Sequence, residues 1–507
     1  MKRNVLYIVL IFLTYSFSFG QTTKSEYESL VSEGENLAYE FKFDESRVAL
    51  LSAIRLHPEK PEAYHQIAKH YLWYYLGSKN ISEYYKFVGY SDSSLTRAEN
   101  QIDQNPDDLQ TLYLLGNIYK QRSMAFAEYQ NTMDAFWAAR NAVGYYEDAL
   151  DVDPDYSSAF GGIGIFEYSL SFIPSFLQWA LPITGLSADQ DGGFAKLEKA
   201  YENGKKDKIE YMFHIAKLYD EYLADYNKSI NVLKKLVLMF PENSLFHYQL
   251  GLEYLKVKNL YKAEIELDKV IEISHPKFVQ TNAFANFLKG DLYFFQNKFD
   301  KALEYYLKFL TTSRTIDYTG IASYRTALCY HFADGDNSEV FRRYLKLAAN
   351  GNHDIEDDAY ANEVSQVVLK FGFTGQMENL LKLENLYYAG KYKEVIENSL
   401  KKSYLFQDKD MSALASFYVS SALIEENNLV EAKKIAEELS VIDVSKNKWI
   451  KPMSFVNLAK IKFLQKDFLR VEQSLMEAEE FNDGKKQNFI QSQINSLRKK
   501  VKDLGDN

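Results

Sequence analysis

Two histidines on one predicted helix are the residues of this sequence that most resemble a metal-binding pair. His65 and His70 lie five positions apart. At about 100° per residue, five positions separate two side chains by about 140° around a helix. A metal ion held by one helix needs ligands one turn apart on the same face. We therefore predict that both histidines are surface or helix-capping residues without a metal.

Two acidic segments are the next candidates for a cation site. Residues 353–358 contain one histidine and four acidic side chains, and residues 189–193 contain two aspartates before a glycine pair. Neither segment has the one-three-five spacing and central glycine of a calcium loop. Acidic side chains at the start of a helix stabilise its positive end. The sequence thus predicts a helix start at each segment and no metal site.

Motifs that carry catalysis are absent from the sequence. It has no serine in a nucleophile elbow, no phosphate-binding glycine loop and no zinc-protease helix. The single cysteine, Cys329, lies between Leu328 and Tyr330 and is predicted to be a small buried hydrophobic residue. We predict a protein that is not an enzyme, with no catalytic residue, no cofactor and no metal.

The composition indicates an ordered chain of long helices. Hydrophobic residues make up 46% of the 507 residues, whereas glycine (23) and proline (9) are scarce. The formal net charge of −11 makes nucleic acid and anionic lipid surfaces poor partners, and membrane association is not indicated. Aromatic residues reach 15%. They either fill helix interfaces or, in part, line a binding groove.

The amino terminus has the features of a secretion signal. Lys2 and Arg3 precede an apolar run over residues 5–13, and Ser18 and Gly20 are small residues suited to cleavage before residue 21. The run is short for a membrane span, although a retained anchor is the alternative. The junction resembles signal sites of the Bacteroidota. We predict export, with the protein in the periplasm or associated with the cell envelope.

Small and aromatic residues recur with a period of about 34 residues, most clearly over residues 244–277. Gly251 and Ala263 are predicted to face each other across two antiparallel helices, Tyr254 fills the space beside them, and Pro276 ends the unit. This pattern resembles the tetratricopeptide repeat (TPR). The resemblance implies an all-α solenoid of stacked antiparallel helix hairpins with a concave binding groove.

Three of the predicted hairpins are longer than the family's pattern. The interval between the small residues Ala68 and Ser94 is 26 positions instead of 12, and the corresponding intervals in repeats three and four are 26 and 29. These repeats therefore gain 14, 14 and 17 residues between their two helices. The insertions occupy residues 72–93, 120–141 and 168–192. The sequence predicts extended hairpins in repeats two to four.

The chain is predicted to have three parts. Residues 1–20 form the signal peptide, and residues 21–348 form an N-terminal TPR solenoid that contains the insertions. Residues 349–507 form degenerate helical repeats that end in a capping helix. A polar join around residues 349–358 separates the two helical parts.

The insertions are predicted to form one ridge over residues 72–192. In repeat two a turn at residues 77–80 leaves most of the gain in the second helix. In repeat three neither glycine nor proline interrupts residues 124–142, so both helices lengthen, each by roughly 10 Å. The insert of repeat four, an apolar segment over residues 173–186, should fold against them. The ridge is either a structural thickening or a docking site marked by exposed apolar side chains.

One segment is similar to a more specific family. Residues 160–200 contain Gly162, Gly164, Pro174, Gly185 and Leu197 in a pattern that resembles the tetratricopeptide-repeat 39 family, which includes fungal inclusion-body clearance proteins. Members of that family are eukaryotic and intracellular, whereas this chain is predicted to be exported. The resemblance implies a similar local shape.

The predicted function is that of a scaffold for a protein or peptide partner. By position in the repeat, side chains of the first helices should line the concave groove, and apolar side chains of the fourth repeat's insert should line the ridge. The predicted partner-binding residues are Asn117, Lys120, Lys217, Tyr248, Glu253, Phe172, Phe176 and Trp179. The alternative is a helical solenoid that binds an apolar small molecule or lipid, with residues 172–186 and the surplus tyrosines lining its pocket.

Overall fold

Helices account for all the regular secondary structure that is described. The computed structural model describes residues 26–173, 180–334, 339–402 and 406–505, and no strand occurs within these ranges. The all-α fold predicted from the sequence is therefore confirmed.

The helices follow one another in pairs joined by short turns. In the first part of the chain they are α1 (residues 26–39), α2 (Phe43–Leu56), α3 (Glu62–Ser78), α4 (Ile81–Gln104), α5 (Leu109–Glu128), α6 (Thr132–Val152), α7 (Ser157–Leu170), α8 (Ala180–Thr184), α9 (Gln190–Asn203), α10 (Lys208–Glu221), α11 (Tyr226–Met239), α12 (Ser244–Lys256) and α13 (Leu260–Glu272). In the second part they are α14 (Val279–Phe295), α15 (Phe299–Thr312), α16 (Thr319–Asp334), α17 (Glu339–Leu347), α18 (Glu356–Phe371), α19 (Gly375–Tyr388), α20 (Tyr392–Lys402), α21 (Lys409–Glu425), α22 (Leu429–Ser440), α23 (Ile450–Leu464), α24 (Phe468–Glu480) and α25 (Gln487–Gly505).

The chain divides into two compact units. The first contains the residues up to Ile215 together with Lys235–Asn243 and Pro276–Phe278. The second contains Ala216–Lys234, Ser244–His275 and the residues from Val279 onward. Residues on both sides of the predicted join at 348–349 lie in the second unit, and the division of the chain at that join stays a prediction.

A glycine in the first helix of a hairpin packs against a large side chain of the second. A Cβ added to Gly34 would meet the Leu50 side chain, and one added to Gly251 would meet the Leu267 side chain, in both cases sixteen positions later. The partner of Gly251 is therefore one helical turn beyond Ala263, which the sequence analysis had placed opposite it. Ala263 is fully buried beside this contact.

The same contact measures the length of the inserted segments. A Cβ on Gly116 would lie 2.5 Å from the Tyr146 ring, thirty positions later. One on Gly164 would lie 2.6 Å from the Gly193 oxygen and 3.0 Å from the nitrogen of Leu197, which is thirty-three positions later. In an ordinary hairpin the same two positions are sixteen residues apart. The separations of thirty and thirty-three therefore correspond to insertions of 14 and 17 residues, the numbers counted in the sequence. The extended hairpins of repeats three and four are confirmed.

The second hairpin is extended mainly in its second helix. Helix α4 has 24 residues, whereas α12 and α13 have 13 each. The turn before α4 falls at Lys79, whose φ of 57° is left-handed, and Asn80 caps the new helix by accepting a hydrogen bond from the Ser82 nitrogen at 3.0 Å. The predicted turn and the backward extension of α4 are both confirmed.

Helix α18 begins at the helix start that was predicted for residues 353–358. The helix begins at Glu356 with three acidic residues, as the macrodipole argument requires. Asp358 of this turn is fully buried and accepts hydrogen bonds from the backbone nitrogens of Ile321 (2.8 Å) and Asn352 (2.9 Å). It therefore ties α18 to the start of α16.

The last helix covers the end of the second unit. Ile490, Ile494 and Leu497 of α25 are buried in a core that also contains Val456 of α23 and Leu475 of α24. This amphipathic packing is what a terminal hairpin needs in order to keep its apolar face out of water.

Candidate functional site

The second and third hairpins of the first unit are joined by an aromatic stack near their tips. The Tyr84 ring of α4 stacks on the Tyr129 ring after α5, with centroids 4.4 Å apart and planes within 8°. Lys79 donates to the Glu128 carboxylate at 2.7 Å beside this stack, and Phe87 is buried below it. The two insertions thus pack on each other along their extra length.

The third and fourth hairpins pack together in the same way. Phe136 and Val143 of the extended α6 share one apolar core with Leu170 at the end of α7 and with Leu186 beyond α8. Leu181 of α8 packs against the same core. The three insertions therefore form one continuous structural ridge among the described residues of the first unit.

The tips of these hairpins expose large apolar side chains. Tyr85 at the start of α4 and Ile183 of α8 are each 60% exposed, and Trp137 near the start of α6 is 47% exposed. Other large apolar side chains exposed at the same tips are Ile81, Tyr129, Met133 and Phe172. We call these seven residues the ridge crest. Clusters of this kind on a folded surface mark interaction sites.

The predicted groove residue Lys120 is buried in an internal ion pair of the first unit. Its ammonium donates to the Glu210 carboxylate of α10 at 2.5 Å, and Lys69 of α3 lies 3.5 Å from the same carboxylate. Burial alone raises the pKa of the Glu210 carboxyl, but the two cations outweigh it and hold the pKa below its ordinary value. Lys120 is therefore neutralised from within the chain.

Asn117 is held in a neighbouring hydrogen-bond network. Its amide oxygen accepts from the Tyr146 hydroxyl at 2.8 Å, and its amide nitrogen donates to the Asp207 carboxylate at 3.0 Å. The Tyr113 hydroxyl donates to the same carboxylate at 2.5 Å. Asn117 and Lys120 are both buried side chains of α5, and their role in partner binding stays a prediction.

The histidines are buried, contrary to the expectation of surface or capping residues. His65 lies within hydrogen-bond distance of the Gln121 side chain at 3.3 Å, and His70 of the Ser46 hydroxyl at 3.1 Å. Desolvation, reinforced by the nearby Lys69, lowers the pKa of each imidazole to about 3. Both are neutral parts of the packed interior, because helix α3 is enclosed on more than one face.

The other predicted groove residues lie in the second unit. Lys217 is partly exposed and lies 3.6 Å from the Glu221 carboxylate. Burial raises the pKa of the half-buried Tyr248 hydroxyl. Glu253 is fully buried and accepts a hydrogen bond from Gln249 at 2.9 Å. Desolvation, together with the neighbouring Asp220, raises the pKa of the Glu253 carboxyl to about 8.

The residues predicted for the insert of the fourth repeat have different placements. Phe172 belongs to the exposed ridge crest. Phe176 and Trp179 lie outside the described residues. Of the insert residues that are described, Leu186 is buried against α6, whereas Ile183 is exposed.

Sequence reasoning missed the acidic residues that close the inner side of the first unit. Asp207 and Glu210 pair with Asn117 and Lys120 across 90 positions of sequence. The sequence contains one indication of this pairing. Glu210 and Lys120 each lie in the first helix of a hairpin among apolar residues. A charge at such a position indicates a buried partner.

The described residues show two further properties that bear on function. In those ranges, no cluster of three or more His, Cys, Asp or Glu side chains could hold a metal ion. No described helix is long and apolar enough to cross a membrane. Cys329 is buried, as predicted, and desolvation raises the pKa of its thiol.

Comparison with known families identifies the repeat. Residues 285–315, which cover most of α14 and α15, match the family model of the tetratricopeptide repeat. This chain contains a tetratricopeptide repeat. The recognition made from residues 244–277 is confirmed, and the all-α hairpins are those of a TPR-type solenoid.

Solved TPR structures are similar to the chain at low identity. A TPR protein from Parabacteroides merdae is 15% identical, with 64% of this chain and 98% of that chain covered and a TM-score of 0.27. Yeast Tom70 is 14% identical, with 91% and 100% covered and a TM-score of 0.29. A signal-transduction ATPase with a TPR sensor from Pyrococcus horikoshii is 17% identical, with 72% and 52% covered and a TM-score of 0.31. At these scores the likeness carries no argument about function.

No curated protein sequence matches the chain significantly. The resemblance of residues 160–200 to the tetratricopeptide-repeat 39 family therefore stays an expectation.

Proposed function

We propose that this chain is an exported, non-enzymatic scaffold that binds a protein or peptide partner, with the ridge crest as its principal docking surface. The observation that carries the proposal is the exposure of Tyr85, Trp137 and Ile183 on three neighbouring hairpin tips. TPR solenoids are extended binding surfaces, and the repeat is the part of this proposal that rests on family recognition.

The chemistry of the crest suits a protein partner. Aromatic residues and methionine are enriched in the cores of protein interfaces, and tryptophan and tyrosine supply much of the binding energy there. Tyr129 of the crest stacks on the buried Tyr84 ring, so little ordering of this side chain is required on binding.

The concave groove is the second proposed surface, and unlike the crest it contains a charged side chain that is already paired within the chain. A partner that reaches Lys120 has to displace the Glu210 carboxylate, which already lies 2.5 Å from the ammonium. A partner on the crest displaces only water. We therefore place the first contact on the crest. In the second unit, the partly exposed Lys217 is the predicted groove residue that a partner could still reach.

A triple substitution on the crest tests the docking surface. Tyr85→Ser, Trp137→Ser and Ile183→Ser together should abolish capture of the protein partner from native envelope extracts, as measured by crosslinking and quantitative mass spectrometry. The control replaces three still more exposed apolar residues elsewhere, Leu238, Val430 and Leu469, by serine. Equal loss of capture by both triples would contradict the crest as the docking surface.

The alternative ligand class and the export proposal have separate tests. Extraction of the purified native protein with organic solvent, followed by mass spectrometry, should release no stoichiometric lipid or apolar small molecule. Intact-mass analysis of the native protein should give a chain that begins at Gln21. A chain that retains Met1 would exclude cleavage of the signal peptide.

A further inference from the structure

The last helix of the second unit is buried on two opposite faces. Ile490, Ile494 and Leu497 of α25 pack into the core that α23 and α24 share with it. At about 100° per residue, Ser492 and Ser496 lie on the side of the helix that faces away from this core. Both serines are buried as well. The polar face that a terminal helix usually turns to water is therefore covered by protein.

This polar face is covered by the turn between α10 and α11, residues 222–226, which belongs to the same unit. Gln493 donates a hydrogen bond to the Tyr226 hydroxyl at 3.3 Å, and Asn495 donates to the Tyr222 carbonyl at 3.3 Å. Around the helix axis the two buried serines lie between Gln493 and Asn495, so the same turn lies over all four side chains. We call the contact between α25 and residues 222–226 the seam.

The seam is held less firmly than the opposite face of α25. Both of its hydrogen bonds join uncharged groups and are longer than the usual upper limit of about 3.2 Å. Water can replace them at little cost, whereas separation of Ile490 and Ile494 from the core would expose buried apolar surface. Arg498 also pairs with Glu472 of α24 at 2.7 Å. The second unit therefore opens more easily at the seam than between α25 and its own hairpin.

Charged side chains lie next to the seam on both of its partners. The Lys460 ammonium of α23 donates to the Gln493 amide oxygen at 3.0 Å, so Gln493 connects Lys460 with Tyr226. The Lys256 ammonium lies 6.0 Å from the Tyr226 ring centroid and donates to the buried Asp220 carboxylate. Burial, together with the Asp220 carboxylate, raises the pKa of the Tyr226 hydroxyl, which therefore stays protonated.

The turn before α25 is anchored on α18. The Lys485 ammonium lies 2.8 Å from the Glu363 carboxylate, and the Lys486 backbone nitrogen donates to the Glu356 carboxylate at 2.5 Å. The other end of the helix, residues 502–504, is exposed. The hairpin of α23 and α24 can therefore tilt together with α25 about this anchor without loss of their shared core.

We propose that α25 is a clasp that opens and closes the second unit at the seam. In the closed state its polar face covers residues 222–226. In the open state that face and the Lys460 ammonium are in contact with water, while the apolar face stays on its hairpin. Opening exposes Tyr226 and the adjacent Asp220, so the clasp controls when a partner reaches the buried carboxyl groups of this unit. The clasp does not depend on the ridge crest, so its failure would leave the proposed docking surface untouched.

Labelling of the Lys460 amine by an N-hydroxysuccinimide ester measures the open state in the full chain. Asn495→Ala removes one hydrogen bond of the seam, and Tyr226→Phe removes the other but keeps the ring. Each should raise the labelling of Lys460 relative to the exposed Lys500 about fivefold, the effect of one neutral hydrogen bond on an equilibrium, as quantified by mass spectrometry. The matched control is Gln487→Ala, which removes an exposed amide from the first turn of the same helix and should leave the labelling unchanged.

Amide hydrogen exchange separates opening of the clasp from unfolding of α25. If the clasp opens as one body, residues 490–497 stay as protected in Asn495→Ala as in the unaltered protein, and carbodiimide labelling of Asp220 rises together with that of Lys460. Unchanged labelling of Lys460 in both variants would overturn the proposal. A rise that is accompanied by loss of amide protection in α25, or that leaves Asp220 unlabelled, would overturn it as well, because the helix would then unfold locally without opening the unit.

Discussion

The Glu210 carboxylate lies 2.5 Å from the Lys120 ammonium, although 90 positions separate the two residues along the chain. Lys69, from a different helix, approaches the same carboxylate to 3.5 Å. Three first helices of the first unit, α3, α5 and α10, therefore meet through one buried charge cluster. The inner side of this unit is closed by its own residues, and the pairing holds the helices at a fixed separation.

Removal of the Glu210 charge should destabilise the first unit strongly. Glu210→Gln would leave Lys120 and Lys69 buried without their counter-charge, and breaking a buried ion pair in this way costs roughly 3–5 kcal/mol. Urea unfolding followed by circular dichroism measures the change. Glu221→Gln, which breaks the partly exposed pair with Lys217, is the control and should cost less than about 1 kcal/mol.

The glycine contact of the third hairpin should tolerate no methyl group. Gly116→Ala places a Cβ 2.5 Å from the Tyr146 ring, which is fully buried and cannot retreat, so the substitution should cost about 1–3 kcal/mol. Gly89→Ala, within α4, meets nothing within 4 Å and should instead stabilise by about 0.5–1 kcal/mol. Thermal unfolding of the two variants should shift in opposite directions. A common shift would contradict the register described above.

The buried Glu253 should make the second unit less stable as the pH rises. Its pKa is about 8 in the folded protein and ordinarily 4.5, so between these values the folded state holds a proton that the unfolded state has released. Stability therefore falls with rising pH across this window, by at most about 1.4 kcal/mol per pH unit. Glu253→Gln should flatten the profile of unfolding free energy between pH 5 and 8.5. Glu397→Gln, at an exposed position, should leave that profile unchanged.

Acid should destabilise the first unit through its buried histidines. The pKa of His65 is about 3 in the folded protein and ordinarily 6.5, so below pH 6.5 the unfolded state binds a proton that the folded state excludes. Stability is therefore lost as the pH falls from about 6.5 towards 3. His65→Gln keeps a polar partner for Gln121 and should reduce the loss of unfolding free energy between pH 6.5 and 3. The control is His353→Gln, at an exposed position. If both variants lose stability in acid to the same extent, groups other than His65 cause the acid sensitivity.

The sequence predicted the hairpins because their contacts are local. Gly116 and Ala142 mark one hairpin by their spacing, although the side chain that packs on Gly116 is that of Tyr146, one helical turn beyond Ala142. The stacking of Tyr84 on Tyr129 was foreseeable as well, since adjacent insertions of equal length bury each other's aromatic residues. The start of α18 was predicted from its acidic residues, but its extent to Phe371 was not, because this segment lacks the small and aromatic positions of the repeat.

The candidate site was less predictable because it depends on contacts between distant repeats. Lys120 was a candidate because of its place in the helix, but its pairing with Glu210 joins residues 90 positions apart, which no local pattern encodes. The same reason explains His65 and His70. One helix wheel places them on different faces of α3, and contacts with two other helices, through Gln121 of α5 and Ser46 of α2, bury both.

The lengths of the extended helices imply that the ridge can change height without disturbing what lies beneath it. Helices α5 and α6 have 20 and 21 residues, about seven more than the 13 of α12 and α13. Seven residues make about two full turns, so the faces of each helix keep their direction along the added length. A deletion of seven residues from each helix would likewise preserve the phase of every remaining contact. The two helices of such a hairpin can therefore be longer or shorter in steps of about two turns, while the contacts of the repeat at their base stay the same.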